Sequence, residues 1–425
     1  MKKILILTGS YFPKPTANGI CIHEIAKGLI DKGYQVHVIS YQKNSDAKFE
    51  LFQGIHSHKV KRNLLLRMRN YGEYHGASFS GRTVAKLALF FTRLKKILYL
   101  PIYPITAPLH VYKYYLEAKA LCKKYDFDIV LSVYNPLVAI LAGYKVKKEL
   151  DDDIKFGLYF LDSLTNTRKK HFFSDEWYDT RAWRLEKKIF DKCDFILNLK
   201  CHERHYSQKK YDEFARKMAI VDIPLIKEVI TNRAKLNDHG IKPIIKNTWV
   251  YAGALNQSMR NPDFLCNIFS KSNFKHENEL HFYSRGDCEN IIHNYAEQVS
   301  NNKIIRHGYV ERDEVLDALL KADVLISIGN SSSEQVPSKI FEYISTGKRI
   351  IHFYKNERDS CITYLERYRN SLLINENEGL EFNRIKIQNF INTSLETITF
   401  SEIAKLYMEN TPSYTIELLD NVISN

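Results

Sequence analysis

Short apolar runs alternate along this chain with stretches in which apolar residues recur every three or four positions. Lys3-Ile-Leu-Ile-Leu7 reads as a buried strand, and a loop with Pro13, Pro15 and Gly19 follows it. Ile22, Ile25, Ala26, Leu29 and Ile30 then keep helical spacing as far as Gly33, and 35–40 is a second strand. Runs at 128–133, 156–161 and 194–199 predict three more strands, which end in Tyr134-Asn135-Pro136, Asp162-Ser163 and Lys200. The periodicity lapses from Asp222 to Asn247, where Pro224, Gly240 and Pro243 sit among polar residues. A second series opens at Trp249-Val-Tyr-Ala-Gly253 and continues with strands at 279–283, 303–308, 323–327 and 349–353. Strands alternating with helices mean a parallel, doubly wound sheet. Two such series predict an α/β chain with domains at 1–222 and 248–399, a linker at 223–247 and a helical terminal segment at 400–425.

The chemistry is concentrated between Ser331 and Gly347. The strand before it gives way to Gly329 and a polar loop. Pro337 suits a first helical position, Ile340, Phe341 and Ile344 form an apolar stripe, and Gly347 suits a left-handed cap. Glu334 therefore falls in the loop at a strand's C-terminal edge, where open α/β sheets bind ligands, and Glu342 falls on the helix. Main-chain N–H groups near Ser338 and Lys339, with the Lys339 charge, form an anion seat. A carboxylate beside such a seat is suited to hydroxyl groups, so the pair describes a sugar nucleotide. With seven residues between Glu334 and Glu342, the stretch resembles the Glu-x7-Glu motif of retaining GT-B glycosyltransferases, family 4 in particular. Gln-Val-Pro-Ser-Lys-Ile-Phe-Glu-Tyr is similar to the bacterial surface-polysaccharide members.

The resemblance implies two Rossmann-like domains with a cleft between them, and it implies roles for further residues. Glu334 would hold sugar hydroxyls and Glu342 the ribose. Asn18-Gly19 stands where the family has a Gly-Gly turn close to the donor, with Asn in place of one Gly. In the loop 253–262, Gly253 is followed by Ala254 where an Arg is expected, and Arg260 lies one residue beyond the usual Lys. Arg260 and Lys339 would then neutralise the departing diphosphate, beside Pro337 and Ser338. Tyr309 falls in the base-contacting segment, although a buried aromatic of the sheet edge is an equal reading. Arg285 and Gly286 either line the same cleft or form a turn. Asp162, as general base or as a helix N-cap, and Asn135 fall on the acceptor side. The donor is a substrate, a UDP-sugar ahead of a GDP-sugar, with no cofactor and no metal, since no Asp-x-Asp, His-Glu-x-x-His or Cys/His cluster stands in the sequence. Retention would proceed by a substrate-assisted route, and the segment 400–425 would cross back to the first domain.

Charge adds a second feature. The formal net charge is +13, but residues 1–200 hold 34 Lys and Arg against 19 Asp and Glu, while the remainder holds 28 against 30. Between Lys59 and Lys96 ten cations face one acid, Glu73, and interleave with leucines and phenylalanines. Such a stretch can lie on an anionic membrane or pack its apolar face on the sheet. The first reading suits a lipid-linked saccharide acceptor. Seven scattered cysteines, a first strand in place of a signal peptide, and no run near the roughly 20 apolar residues of a spanning helix predict a cytoplasmic chain, peripheral on the inner face of the cell membrane. The rival readings are a non-catalytic GT-B subunit that binds glycan or a partner transferase, and a nucleotide-sugar epimerase. Nucleic acid is the least favoured partner, for want of a binding module.

Overall fold

Apolar runs of four to six residues, rich in Ile, Leu and Val, bury both faces when they form central strands of parallel sheets. The computed structural model describes the chain except for Lys14, 43–46, Asn63, 76–77, 151–153, 162–171, 230–245, 299–301, 331–335 and Asn425. Its first sheet contains β1 (Lys3–Leu7), β2 (Gln35–Gln42), β3 (Phe49–Phe52), β4 (Ile55–Lys61), β5 (Ile129–Tyr134), β6 (Lys155–Phe160), β7 (Phe195–Leu199) and β8 (Met218–Val221). The second contains β9 (Lys246–Leu255), β10 (Glu277–Gly286), β11 (Lys303–Arg306), β12 (Val324–Ile328), β13 (Arg349–Tyr354) and β14 (Ser371–Asn375). Their orders are β3-β4-β2-β1-β5-β6-β7-β8 and β11-β10-β9-β12-β13-β14. The pairings are parallel except β3 with β4. In the second sheet the order reverses between β9 and β12, which creates a switch point at their C-terminal ends.

The chain divides into two compact units, Met1–Pro224 with Pro412–Asn425, and Leu225–Thr411. In the first, helix Ala17–Asp31 buries Ile22, Ile25, Ala26 and Leu29 and gives way to Gly33 at φ +86°. Helix Pro412–Ser424 packs on it so closely that a Cβ on Gly28 would lie 2.2 Å from Ile416 Cδ1, and Asp420 accepts from Tyr34 (2.5 Å) and Lys32 (2.9 Å). The second unit is centred on Trp249, which is fully buried and donates its indole N–H to Asn278 Oδ1 at 2.9 Å.

Three expectations need correction. The segment 400–425 is divided between the units: helix Phe400–Leu406 and Tyr407 belong to the second unit, where the buried Tyr407 hydroxyl donates to the Tyr364 carbonyl (2.6 Å), and only Pro412–Asn425 joins the first. The start of the expected linker is packed chain, because Ile226 is buried and its N–H donates to the Asn410 carbonyl (2.9 Å); residues 230–245 lie outside the described ones. The basic stretch is not one amphipathic segment either. It begins in β4, where Lys59 is only 2% exposed and its ammonium donates to the Phe12 carbonyl (2.5 Å), while Arg62 lies over the Tyr41 ring and donates to Ser10 Oγ (3.2 Å).

Beyond β4 the basic stretch is a pair of helices, Leu64–Tyr74 and Phe79–Leu98. They pack where Gly72 meets Ala85, since a Cβ on Gly72 would lie 2.6 Å from the Ala85 Cβ. Ser78 caps the second helix by accepting from the Gly81 N–H (3.0 Å). Its apolar residues are largely exposed, among them Phe79, Leu89, Phe90, Phe91, Ile97 and Leu98, and Arg82, Lys86 and Arg93 are exposed with them. No helix among the described residues is long and apolar enough to cross a membrane.

Candidate functional site

At the switch point of the second unit the C-terminal ends of β9, β10 and β12 surround a pocket of about 360 Å³. It brings together Gly253 and Ala254 from the end of β9, Arg260 from the next loop, Arg285 from β10, Tyr309, and Pro337, Ser338 and Lys339. The loop that carries Arg260 is built by its own sequence. The Asn256 and Arg260 main chains exchange hydrogen bonds (2.7 and 3.2 Å), and Asp287 accepts from Asn256 Nδ2 (3.0 Å) and the Gln257 N–H (2.9 Å). Gly286 permits this approach: at φ +141°, its Cβ would lie 1.8 Å from the Leu255 carbonyl oxygen. Arg260 Nε donates to Asn330 Oδ1 (2.6 Å), an uncharged partner that leaves the guanidinium charge uncompensated by this contact.

Lys339 opens the helix Lys339–Ser345. The helix is anchored from beneath by Tyr343, whose place in the site no sequence motif marks. Its buried hydroxyl accepts from the Ala252 N–H (3.0 Å) and donates to the Ala252 carbonyl (3.2 Å), tying helix to β9. Ser338 is its N-cap without a side-chain cap bond, and Ile340 N–H donates to the Pro337 carbonyl (3.0 Å). Seven residues make a short dipole, so the positive field at this end comes mainly from side chains. Protein packed around the Lys339 ammonium holds its pKa below the usual lysine value; Glu342 opposes that shift, and Arg312, Arg260 and Arg285 add to it. Four cations thus act on one small volume. Gly347 adopts φ +73°, as the expected cap requires, and a Cβ there would lie 2.0 Å from the Ile398 carbonyl oxygen.

Several expected site residues are placed differently. Glu342 does not line the pocket, because Arg312 takes its Oε1 at 2.7 Å. Arg312 was not singled out in the sequence, and the acidic and basic run after Tyr309 was its only signal. Tyr309 is 71% exposed, which removes the buried-aromatic reading, and the Arg285 guanidinium lies 5.8 Å from its ring centre. Asn18 and Gly19 form no left-handed turn. They lie in the first turn of helix Ala17–Asp31, and Gly19 is needed because a Cβ would meet the Ser10 carbonyl oxygen at 2.3 Å. Asn135 is exposed at the end of β5, on a separate pocket of about 340 Å³ in the first unit. Glu334 and Asp162 lie outside the described residues.

No protein-family model matches the chain, and no curated protein matches it in sequence. Solved structures do match its fold over the full length. Sucrose-phosphate synthase from Thermosynechococcus elongatus shares 12% identity at a TM-score of 0.61, covering 99% of this chain and 98% of the other. HepE from Anabaena, solved in complex with UDP and glucose, shares 13% identity at 0.56, with both chains fully covered. UDP-GlcNAc 2-epimerase from Methanocaldococcus jannaschii shares 12% identity at 0.55, covering 99% and 100%. Identities this low carry the architecture and nothing more: two parallel-sheet α/β units in the order of the GT-B fold.

Proposed function

We propose that the chain is a glycosyltransferase that takes its sugar from a nucleoside-diphosphate donor. The observation that carries this reading is the convergence of Arg260, Arg285 and Lys339 on one pocket at the C-terminal edge of the second sheet. Breaking the anomeric bond places negative charge on the departing phosphate, and fixed cations in a partly water-excluded pocket stabilise that charge as it develops. Arg260 and Lys339 bind the diphosphate, and Arg285 with Tyr309 frames the rim. Glu334 takes the sugar hydroxyls, while Glu342 is held through Oε1 by Arg312. A UDP-sugar is the first donor to test, because HepE was solved with UDP and glucose.

The finer reading follows the family 4 resemblance. Transfer retains the anomeric configuration, with the leaving phosphate accepting the acceptor's proton, and needs no metal. The acceptor is a lipid-linked saccharide of a bacterial surface polysaccharide, met on the acceptor side by Asp162 and Asn135. The helix Phe79–Leu98 supports a position at the inner face of the cell membrane, since it exposes phenylalanines and leucines among cations and carries no acid. Each cation near an anionic leaflet contributes about 1 kcal/mol.

The test is transfer of label from radioactive UDP-, GDP-, ADP- and CMP-sugars into membrane lipids extracted from cells that lack the chain. Label entering the solvent-extractable fraction from one donor class, and lost with Lys339→Ala, supports the proposal. Conversion of the donor to an epimer without label transfer would replace it with the epimerase reading.

A further inference from the structure

His352, Asp359 and Cys361 are spaced in the sequence like no metal motif, yet the fold brings them together behind the second sheet's switch point. His352 lies on β13, Asp359 caps the helix Ser360–Leu365, and Cys361 stands in that helix's first turn, its N–H bonded to Asp359 Oδ1 at 2.7 Å. One donor atom from each lies within 4.8 Å of the other two. All three residues are buried, His352 and Cys361 completely. His352 Nδ1 pairs with Ser327 Oγ at 3.0 Å, which turns Nε2 towards Asp359. That nitrogen is still 3.5 Å from Oδ1, and neither Nε2 nor Asp359 Oδ2 has a hydrogen-bond partner. A buried ring nitrogen and a buried carboxylate oxygen left unpartnered in one cluster are uncommon, because burial without a partner is costly.

We propose that His352, Asp359 and Cys361 form a binding site for a divalent transition-metal ion, zinc first. Imidazole nitrogen, carboxylate oxygen and thiolate sulfur are the donors zinc takes in tetrahedral sites, and three of four positions are supplied here. A thiolate and a carboxylate cancel the ion's two charges, so the occupied site carries no net charge of its own. The Ser327 hydroxyl holds the second ring nitrogen, as outer partners of metal-bound histidines do. The ion braces the strand ends under the pocket without entering it: Ser327 lines the pocket, and a Cβ on Gly329 would lie 2.1 Å from Asp359 Oδ2. The proposal is independent of glycosyl transfer.

The full-length chain, purified from cells grown with added cobalt, is the material for the test. The site predicts one cobalt per chain, a near-ultraviolet thiolate-to-cobalt band and the intense visible bands of a tetrahedral ion. Cys361→Ser, folded by circular dichroism, loses the thiolate band. Ser327→Ala, which keeps all three ligands, weakens zinc about 10–100-fold in competition with a chromophoric chelator. If Cys361→Ser does not fold, the Ser327→Ala titration alone decides. Wild-type protein with less than a tenth of an ion per chain, a thiolate band that survives Cys361→Ser, or zinc affinity unchanged in Ser327→Ala would overturn the site in favour of a plain hydrogen-bonded cluster.

Discussion

Positive charge is used in two ways in this molecule. In the first unit it is spread along an exposed helix pair, where Arg82, Lys86 and Arg93 alternate with uncovered phenylalanines and leucines. In the second it is gathered around one pocket: Arg260, Arg285 and Lys339 line it, and these arginines with Arg312 add to the lowering of the Lys339 pKa that burial chiefly causes. Dispersed cations beside apolar surface fit a broad anionic partner, whereas crowded cations repel one another until a compact multivalent anion is bound. The second sheet can crowd them because its switch point collects the ends of three strands, and Tyr343 fixes the helix that carries Lys339. On the helix pair, Phe79, Leu89, Phe90, Phe91, Ile97 and Leu98 are exposed.

The sharpest way to break this contrast is to remove charge from the pocket. Lys339→Ala and Arg260→Ala should each lower turnover about 10²–10³-fold, the size typical for one lost electrostatic contact to a transition state, read as kcat with saturating donor. Next in size is the helix pair. Replacing Phe79, Phe90 and Leu98 by Ser should weaken sedimentation with anionic vesicles by at least about two orders of magnitude, at roughly 1 kcal/mol or more per uncovered side chain. Unchanged binding would return the face to ordinary surface.

Acid should also separate the units. Burial, and for most of them nearby cations, push His37 down to about 3 and His58, His110 and His202 to about 4, with His205 also at about 4; all belong to the first unit. These histidines bind protons in the unfolded chain at about pH 6.5 but resist them when folded. The stability they confer is therefore complete above pH 6.5 and falls as the pH drops towards 4. Scanning calorimetry at pH 7.5 and 5 should show the first unit's transition falling by roughly 5 °C or more, with the second moving less. The smallest effect expected is from Gly347→Ala. Its left-handed backbone and the Ile398 carbonyl predict a loss of about 1–3 kcal/mol confined to the second unit's transition.

The alternation of runs and periodic stretches was enough to read most central strands, because their residues are apolar on both faces. β4 escaped because His56, His58 and Lys59 make it look like the start of a basic surface segment. Only the fold shows that the His37 and His58 rings bond at 3.1 Å and that the Lys59 ammonium caps a carbonyl. β3, β8 and β14 are edge strands of four or five residues, whose partly exposed faces leave no continuous apolar run. Within the site, Lys339, Arg260 and Gly253 were legible because they sit next to strand ends or helix starts that the pattern locates. Arg312 and Tyr343 were not, since a long-range ion pair and a hydroxyl reaching a neighbouring strand leave no local trace. Asn18-Gly19 shows the opposite failure: a turn-like dipeptide proved to be a helix start, with Gly there for close packing.

The central claim is that the second unit's pocket binds a nucleoside diphosphate through its cations, and titration calorimetry with UDP tests it most directly. The account predicts one UDP per wild-type chain, affinity that falls as salt rises, and a loss of at least about tenfold in Lys339→Ala and in Arg260→Ala, since a charge-assisted contact contributes about 1.5–3 kcal/mol. If neither UDP nor GDP, ADP or CMP binds the folded chain, or if UDP binds both variants as tightly as the wild type, the pocket is not the donor site.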